Sequence, residues 1–285
     1  ATMDVPAQSA MGIPVRLNLL SADSVSLDVL ALLMEYTGKL NNGVITGTFR
    51  QFGVAFPLEL KAGDAGKPNR PQEPESPLGY KTEEVTFTNQ KAHVSLAGTL
   101  TYPVNYTPDK KVPVVIMVTG SGAQNRDEEV FAHKPFRVIA DYLAKQGIAS
   151  LRYDDRGVGQ STGNQAGCTS ADFAEDAACG LSWLKSSGKF NQVGILGHSE
   201  GGLIAFMLGA EGKADFLVSM AGPGIKGDSL LVEQQNALFK LKGIPSNVSV
   251  STLRKSMATQ PGNVWLEYFM DYDPRPDLER ITIPV

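Results

Sequence analysis

The chain has 285 residues, of which 42% are hydrophobic and 20% are charged, a composition that predicts a folded protein of about two domains. Its 26 basic and 30 acidic residues give a net charge of −4, which argues against a nucleic-acid partner. No apolar run reaches the roughly 18 residues that a membrane-spanning helix needs, and two cysteines are too few for a disulfide scaffold.

The N-terminal ten residues contain neither a basic segment nor an apolar segment of the kind found in signal peptides. We therefore expect a soluble protein that is either cytoplasmic or exported to the periplasm after removal of a signal. Cys168 and Cys179 stand outside any CxxC or Cys/His cluster, so two unpaired thiols are predicted. A local disulfide between them is the alternative, and it would imply export. No metal cluster or cofactor motif is visible, and none is predicted.

Residues 1–60 have the pattern of a small antiparallel β module. Asn42-Gly43 is a strong hairpin signal between two β-branched, alternating segments. No cluster of titratable residues suited to catalysis occurs here, so the predicted role is packing, binding or association. The predicted strands are 14–20, 25–32, 36–40, 44–49 and 55–60.

Residues 61–79 form a proline-rich segment in which Pro68, Pro71, Pro74 and Pro77 recur at every third position. That period matches the three-residue turn of polyproline II, so the segment is predicted to be an extended linker. A ligand for a proline-reading domain is the less favoured alternative.

From residue 80 onward the pattern changes to strands that alternate with helices. The run at 112–118 is apolar throughout, which is typical of a strand buried on both faces. This alternation predicts a mostly parallel α/β sheet with helices on both faces. The other predicted strands are 83–88, 94–101, 148–153, 192–196 and 216–220, and the helices are 131–146, 172–185 and one that begins near 203.

Residues 222–273 are predicted to form a helical cap inserted in the sheet, because three helical segments follow one another without a strand. These segments are 229–241, 247–258 and 264–272. Their apolar residues favour an apolar substrate group, although helix packing explains the same residues equally well. An apolar β-branched run then begins at 281–285, where the next strand is expected.

Gly-x-Ser-x-Gly occurs twice, around Ser161 and around Ser199. The second match follows a predicted strand and precedes an apolar helix, which is the context that a nucleophile elbow requires. The first match leads into polar loop residues and no helix opens after it. Ser199 is therefore predicted to be a nucleophile, and an elbow of this kind offers the backbone N–H of the next residue, Glu200, to an oxyanion. A second donor is expected from the Gly-rich loop 119–122, behind the apolar strand.

Three runs resemble the serine α/β-hydrolase superfamily: TGSGAQNRDEEVFAHKPFRVIADYL, GIASLRYDDRGVGQSTG and GILGHSEGGLIA. More narrowly, the chain is similar to bacterial esterases and serine aminopeptidase-like hydrolases that carry a small N-terminal β domain. The resemblance covers residues 80–285 and implies a mostly parallel α/β-hydrolase sheet with a helical cap. It also implies that Ser199 is the nucleophile, that Glu200 with Ser121 or Gly122 forms the oxyanion hole, and that Ser161 is structural.

A catalytic acid and histidine should follow the nucleophile in this fold, but no histidine follows residue 198. His198 should point away from the nucleophile, His133 precedes it, and His93 lies in the early strands. Asp271, Asp273 and Asp277 precede the strand whose loop carries the acid, and are expected to be turn formers or helix-end charges. We therefore expect the acid and the histidine to be missing from this chain, and the chain alone to be inactive.

The resulting function hypothesis is hydrolysis of a carboxylic ester through an acyl-enzyme on Ser199. A serine peptidase that uses the same residues is the near alternative, and a non-catalytic binding or assembly module is the alternative from another class. The expected partners are a small-molecule ester or a short peptide, with homo-oligomer formation left open.

Overall fold

The computed structural model describes residues 2–5, 10–29, 34–51, 54–63, 70–130, 132–241, 243, 245, 247–258 and 263–285. Its contacts divide the chain into two compact units. The first contains residues 1–71 and 129–133, and the second contains residues 72–128 and 134–285.

The first unit is built from antiparallel strands, as predicted. Asn42 and Gly43 have φ angles of 49° and 78° and join two strands at the predicted hairpin. The predicted strand at 25–32 ends in residues that lie outside the described part. A two-stranded sheet contains β1 (Thr2–Val5) and β2 (Ala10–Pro14), and a five-stranded sheet contains, in chain order, β3 (Arg16–Leu20), β4 (Ser24–Val29), β5 (Met34–Asn41), β6 (Val44–Gln51) and β7 (Val54–Lys61).

The second unit contains a six-stranded sheet, with the order β13-β12-β10-β11-β9-β8. Its four strands from β10 to β13 pair in parallel, and β9 and β8 continue the sheet in antiparallel pairing. The strands are β8 (Thr82–Asn89), β9 (Val94–Thr101), β10 (Val112–Val118), β11 (Ala149–Tyr153), β12 (Phe190–His198) and β13 (Leu217–Met220).

Helices cover both faces of this sheet. Along β10, Val114 and Ile116 pack in the core formed with α2 (Ser170–Ser186) and α3 (Glu200–Ala210). The intervening Val115 and Met117 pack in a second cluster with Phe136 and Ala140 of α1 (Pro135–Lys145). This alternation follows from the two-residue period of a strand and confirms the prediction of a strand buried on both faces.

The segment after β13 is helical, as predicted. It contains α4 (Gly227–Leu241), α5 (Val250–Ala258) and α6 (Val264–Asp271). A short helix that was not predicted, α7 (Arg275–Arg280), follows and packs against α3. The apolar run at 281–285 does not form the expected strand: one backbone hydrogen bond, 2.9 Å from Leu217 N to Pro284 O, joins it to β13. Pro284 can only accept such a bond because it has no N–H.

The proline-rich segment is partly described, since residues 64–69 lie outside the described part. The backbone N–H of Lys134 donates to the Glu73 carboxylate at 2.9 Å, and Arg137 donates to the Pro74 carbonyl at 3.2 Å. Residues 73 and 74 therefore contact the start of α1 within the second unit, and the linker at 61–79 stays a prediction.

Cys168 and Cys179 are both free, so the prediction of unpaired thiols holds and the local disulfide does not form. Across the residues that the structure describes, no helix combines the length and apolar character needed to cross a membrane.

We predict that a buried ion pair between Arg156, which follows β11, and Asp176 of α2 is essential for stability. Asp176 accepts from Arg156 Nε at 2.7 Å and from Nη2 at 2.8 Å, and the two side chains are only 3% and 5% exposed. Asp176→Asn leaves the guanidinium without its counter-charge and should lower the free energy of unfolding by about 3–5 kcal/mol in urea titrations. The control is Glu175→Gln, an exposed partner of Lys91, with an expected loss below about 1 kcal/mol. Equal losses would contradict this prediction.

Candidate active site

Ser199 lies on the sharp turn between β12 and α3. Its φ of 52° and ψ of −115° place a non-glycine residue in a strained conformation. Its N–H donates to the Met220 carbonyl at 2.9 Å, and its own carbonyl accepts from Gly202 N at 2.9 Å. The strained backbone is therefore held from both sides, by the end of β13 and by the first turn of α3.

Two glycines allow α3 to lie close to β12 and β10 at this turn. A Cβ on Gly197 would lie 2.0 Å from the Gly201 carbonyl oxygen, and a Cβ on Gly201 would lie 2.1 Å from the Val118 carbonyl oxygen. Any side chain at either position would force the backbones apart. The structure thus gives the physical reason for the glycines on both sides of Ser199.

Glu200 begins α3, and its side chain is buried at 2% exposure. Its Oε1 accepts from Ser170 Oγ at 2.5 Å and from Trp265 Nε1 at 2.7 Å. The backbone N–H of a first helical residue has no acceptor within its own helix. Glu200 thus connects the turn at Ser199 to α2 and α6 through its side chain.

The Gly-rich loop after β10 lies beside the turn. A Cβ built on Gly120 would be 3.3 Å from Ser199 Cβ. The N–H of Gly120 donates to Glu128 Oε1 at 2.7 Å, so this donor is already used. Ser121 and Gly122 follow at exposed positions, and Gly122 has a φ of 99°, a value that favours glycine. Ser121 and Gly122, the two loop residues predicted to contribute an oxyanion donor, are therefore exposed to solvent.

Two adjacent carboxylates shape this loop. Asp154 accepts from Arg126 through its backbone N at 2.9 Å and its guanidinium Nη2 at 2.7 Å. Asp155 accepts from Thr119 Oγ1 at 2.8 Å and from Gln124 N at 2.9 Å. Asp154 and Asp155 lie in the run GIASLRYDDRGVGQSTG, and this role was not predicted from the sequence. The acidic pair directly after a buried strand was the available signal.

Ser161, the other Gly-x-Ser-x-Gly serine, is buried and bonded to the main chain. Its Oγ donates to the Asp154 carbonyl at 2.7 Å and accepts from Ala97 N at 2.9 Å. Its hydroxyl connects β9 to the loop after β11.

The histidines occupy different surroundings. His198 Nδ1 lies 2.8 Å from Glu128 Oε1, and this contact raises the pKa of His198 above its usual value. His93 lies exposed in the turn between β8 and β9, and His133 belongs to the first unit, where it pairs with Val130. Glu128 was not predicted from the sequence as a site residue. Its Oε1 atom contacts both the Gly120 N–H and His198 Nδ1.

Asp271, Asp273 and Asp277 each form an ion pair with an arginine. Asp271 accepts from Arg254 at 2.7 Å, Asp273 accepts from Arg275 Nε at 2.9 Å, and Asp277 pairs with Arg280. Asp271 ends α6 and Asp273 lies between α6 and α7, as expected for helix-end and turn residues, whereas Asp277 lies within α7 and is buried. Among the described residues, no group of three or more His, Cys, Asp or Glu side chains is arranged to hold a metal ion.

A pocket of about 390 Å³ opens beside the Gly-rich loop. It is lined by Ser121, Gly122, Gln165, Phe173 and Trp265. Trp265 comes from α6, so the helical segment after β13 contributes directly to this pocket.

We predict that Glu128 sets the charge state of His198. Glu128→Gln keeps an oxygen for the Gly120 N–H but removes the negative charge, so the pKa of His198 should fall. NMR titration of the histidine Cε1–H signals measures this shift. The control is Glu175→Gln, which removes an exposed carboxylate that pairs with Lys91 and should leave the titration of His198 unchanged. An unchanged His198 titration in Glu128→Gln would show that the carboxylate does not act on the ring.

We also predict that Asp155 makes stability depend on pH. Burial raises the pKa of Asp155 to about 7, so the folded state binds a proton between about pH 4 and pH 7 that the unfolded chain releases. The free energy of unfolding should therefore decrease as pH rises through this range, by at most about 1.4 kcal/mol per pH unit from this group. Asp155→Asn should remove this slope in urea titrations at several pH values. The fully exposed Asp109→Asn is the control, and an equal change of slope in both variants would contradict the assignment.

Comparison with known proteins finds a family model and a curated relative that are similar to this chain. A family model described as serine aminopeptidase, S33, matches residues 134–259. Esterase EstD of Thermotoga maritima is 30% identical over 220 residues, which are 73% of this chain and 51% of that protein. The chain therefore spans about half the length of this curated relative.

Solved structures show the same fold. The Pyrococcus furiosus esterase Pf2001 matches with a TM-score of 0.52 and 20% identity, over 73% of this chain and 69% of that one. Est1E from Butyrivibrio proteoclasticus, solved with ferulic acid bound, matches with a TM-score of 0.50 and 16% identity, over 70% and 76% of the two chains. The sheet order, the strained serine between β12 and α3, and these likenesses show that the chain has an α/β-hydrolase fold and is similar to serine hydrolases with this fold.

Proposed function

We propose that the protein hydrolyses carboxylic esters through an acyl-enzyme on Ser199. The observation that carries this proposal is the strained Ser199 backbone at the start of α3, a conformation that presents the hydroxyl at the end of the sheet. The naming of EstD as an esterase supports the ester as substrate. A small-molecule ester is thus the proposed partner.

The proposed reaction has two halves. Ser199 Oγ attacks the ester carbonyl carbon while its proton passes to a general base, and the bond to the alcohol oxygen then breaks as the alcohol takes that proton. Water attacks the acyl-enzyme in the second half, again giving its proton to the base. The carboxylic acid leaves and the Ser199 hydroxyl is restored.

Backbone N–H groups are proposed to stabilise the oxyanion in both halves. Glu200 supplies one, because it is the first residue of α3 and its N–H has no acceptor within the helix. Ser121 or Gly122 supplies the other, since both lie exposed on the loop beside Ser199 while the N–H of Gly120 is held by Glu128. The positive end of the α3 dipole adds to this stabilisation.

The general base and its acid are proposed to come from outside these 285 residues. No histidine follows position 198 in the sequence, and His198 itself is bonded to Glu128. The aspartates at 271, 273 and 277 are paired with arginines. Residues 222–273 are proposed to act as the cap over the site, since Trp265 lines the adjacent pocket.

A fluorophosphonate probe tests the nucleophile. In the intact gene product, we expect covalent labelling at Ser199 and hydrolysis of p-nitrophenyl acetate. Ser199→Ala should abolish labelling and lower kcat by at least about 10³-fold. Ser161→Ala is the matched control: it removes a buried structural hydroxyl and should keep labelling at a temperature where circular dichroism shows it folded.

An adduct at Ser161, or labelling that persists in Ser199→Ala, would overturn the assignment. Faster turnover of alanine p-nitroanilide than of p-nitrophenyl acetate would favour the peptidase alternative. The absence of both labelling and turnover in the folded protein would favour a non-catalytic module.

A further inference from the structure

The pocket beside the Gly-rich loop has the size and lining of a binding site. Its volume of about 390 Å³ lies within the range of small-molecule sites and leaves room for much more than an acetyl group. Ser121 and Gly122 form its border with the proposed oxyanion hole, and Phe173 and Trp265 supply its aromatic surface. A group held in this pocket would therefore be close to a carbonyl bound by the loop.

Both rings also contact neighbouring side chains. Trp265 stacks on Phe269 with ring centroids 5.5 Å apart and an angle of 23° between the planes. The Arg156 guanidinium carbon lies 5.8 Å from the centroid of the Phe173 ring, in a cation–π contact. Both rings make these contacts and also line the pocket.

The orientation of Trp265 is set by the residue next to the nucleophile. Trp265 Nε1 donates to Glu200 Oε1 at 2.7 Å, and Ser170 Oγ holds the same buried oxygen at 2.5 Å. The indole cannot turn away without leaving a buried carboxylate short of a donor, which is costly. One wall of the pocket is therefore fixed with respect to Ser199 before any substrate binds.

On the basis of the proposed ester hydrolysis, we propose that this pocket binds an aromatic group of the substrate ester and that Trp265 determines this preference. Ring–ring contacts with Trp265 and Phe173 stabilise an aromatic group beyond the effect of its buried area, whereas a saturated ring of the same size gains the area alone. The preference for aromatic over saturated groups thus depends on the indole.

The two tryptophans of the chain make a direct test possible. Trp183→Phe leaves Trp265 as the only indole, and Trp183 itself lies on α2, with its ring 6.5 Å from that of Phe87. The Trp183→Phe/Ser199→Ala protein lacks the proposed nucleophile and should not hydrolyse the ester used as a probe. Titration of this protein with methyl 3-phenylpropanoate should change the fluorescence emission of Trp265 until binding is saturated. Methyl 3-cyclohexylpropanoate is the matched probe, and it should bind about 5-fold more weakly.

Calorimetry on further variants separates the contributions of Trp265. In a Ser199→Ala background, Trp265→Leu should weaken binding of the phenyl ester by about 10-fold and remove the preference over the cyclohexyl ester. Trp265→Phe keeps a ring but loses the bond to Glu200, so it should keep the preference with weaker binding. Trp183→Phe is the control and should bind both esters as the parent does.

Equal affinity for the two esters, or unchanged binding in Trp265→Leu, would overturn the assignment of the pocket. If the protein that keeps Ser199 were nevertheless labelled there by the fluorophosphonate, the proposed ester hydrolysis would stand and only the aromatic preference would fail. If the phenyl ester bound at Trp265 but Ser199 were never labelled, the aromatic site would stand and the proposed hydrolysis would fail.

Discussion

The loop between β10 and α1 depends on carboxylates that lie outside its Gly-rich tip. Asp154 and Asp155, at the end of β11, bind the guanidinium of Arg126 and two further donors of the loop. Glu128 then joins Gly120 to His198, which directly precedes Ser199. Because a Gly-rich loop has little conformational preference of its own, these hydrogen bonds give it one shape. The position of its N–H groups relative to Ser199 follows from that shape.

Glu200 has a comparable role on the other side of the turn. Its backbone begins α3 beside Ser199, while its buried carboxylate receives hydrogen bonds from α2 and from Trp265 of α6. Ser199, the helical segment after β13 and the pocket wall are thereby connected through one residue. A substitution at Glu200 would therefore disturb both the proposed oxyanion donor and the pocket, which makes Trp265 the cleaner position to test.

Much of the fold was predictable from the sequence because its signals are local. The continuous apolar run of β10, the alternation of strands and helices, and Asn42-Gly43 each report on a few neighbouring residues. Helix α7 was missed because its six residues carry too short a pattern. The run at 281–285 has strand-like residues, but a β-strand requires a series of hydrogen bonds to a neighbouring strand. The bond from Leu217 N to Pro284 O does not provide such a series.

The sequence by itself determined the superfamily resemblance and the placement of Ser199 between a strand and a helix, and on this basis it predicted Ser199 rather than Ser161 as the nucleophile. Only the tertiary structure decided that Gly120 is bonded to Glu128, that Asp154 and Asp155 shape the loop, and that Trp265 reaches Glu200. These contacts join residues between 8 and 65 positions apart. The pairing of such distant charges and donors depends on how the sheet and helices pack, and no local pattern in the chain encodes it.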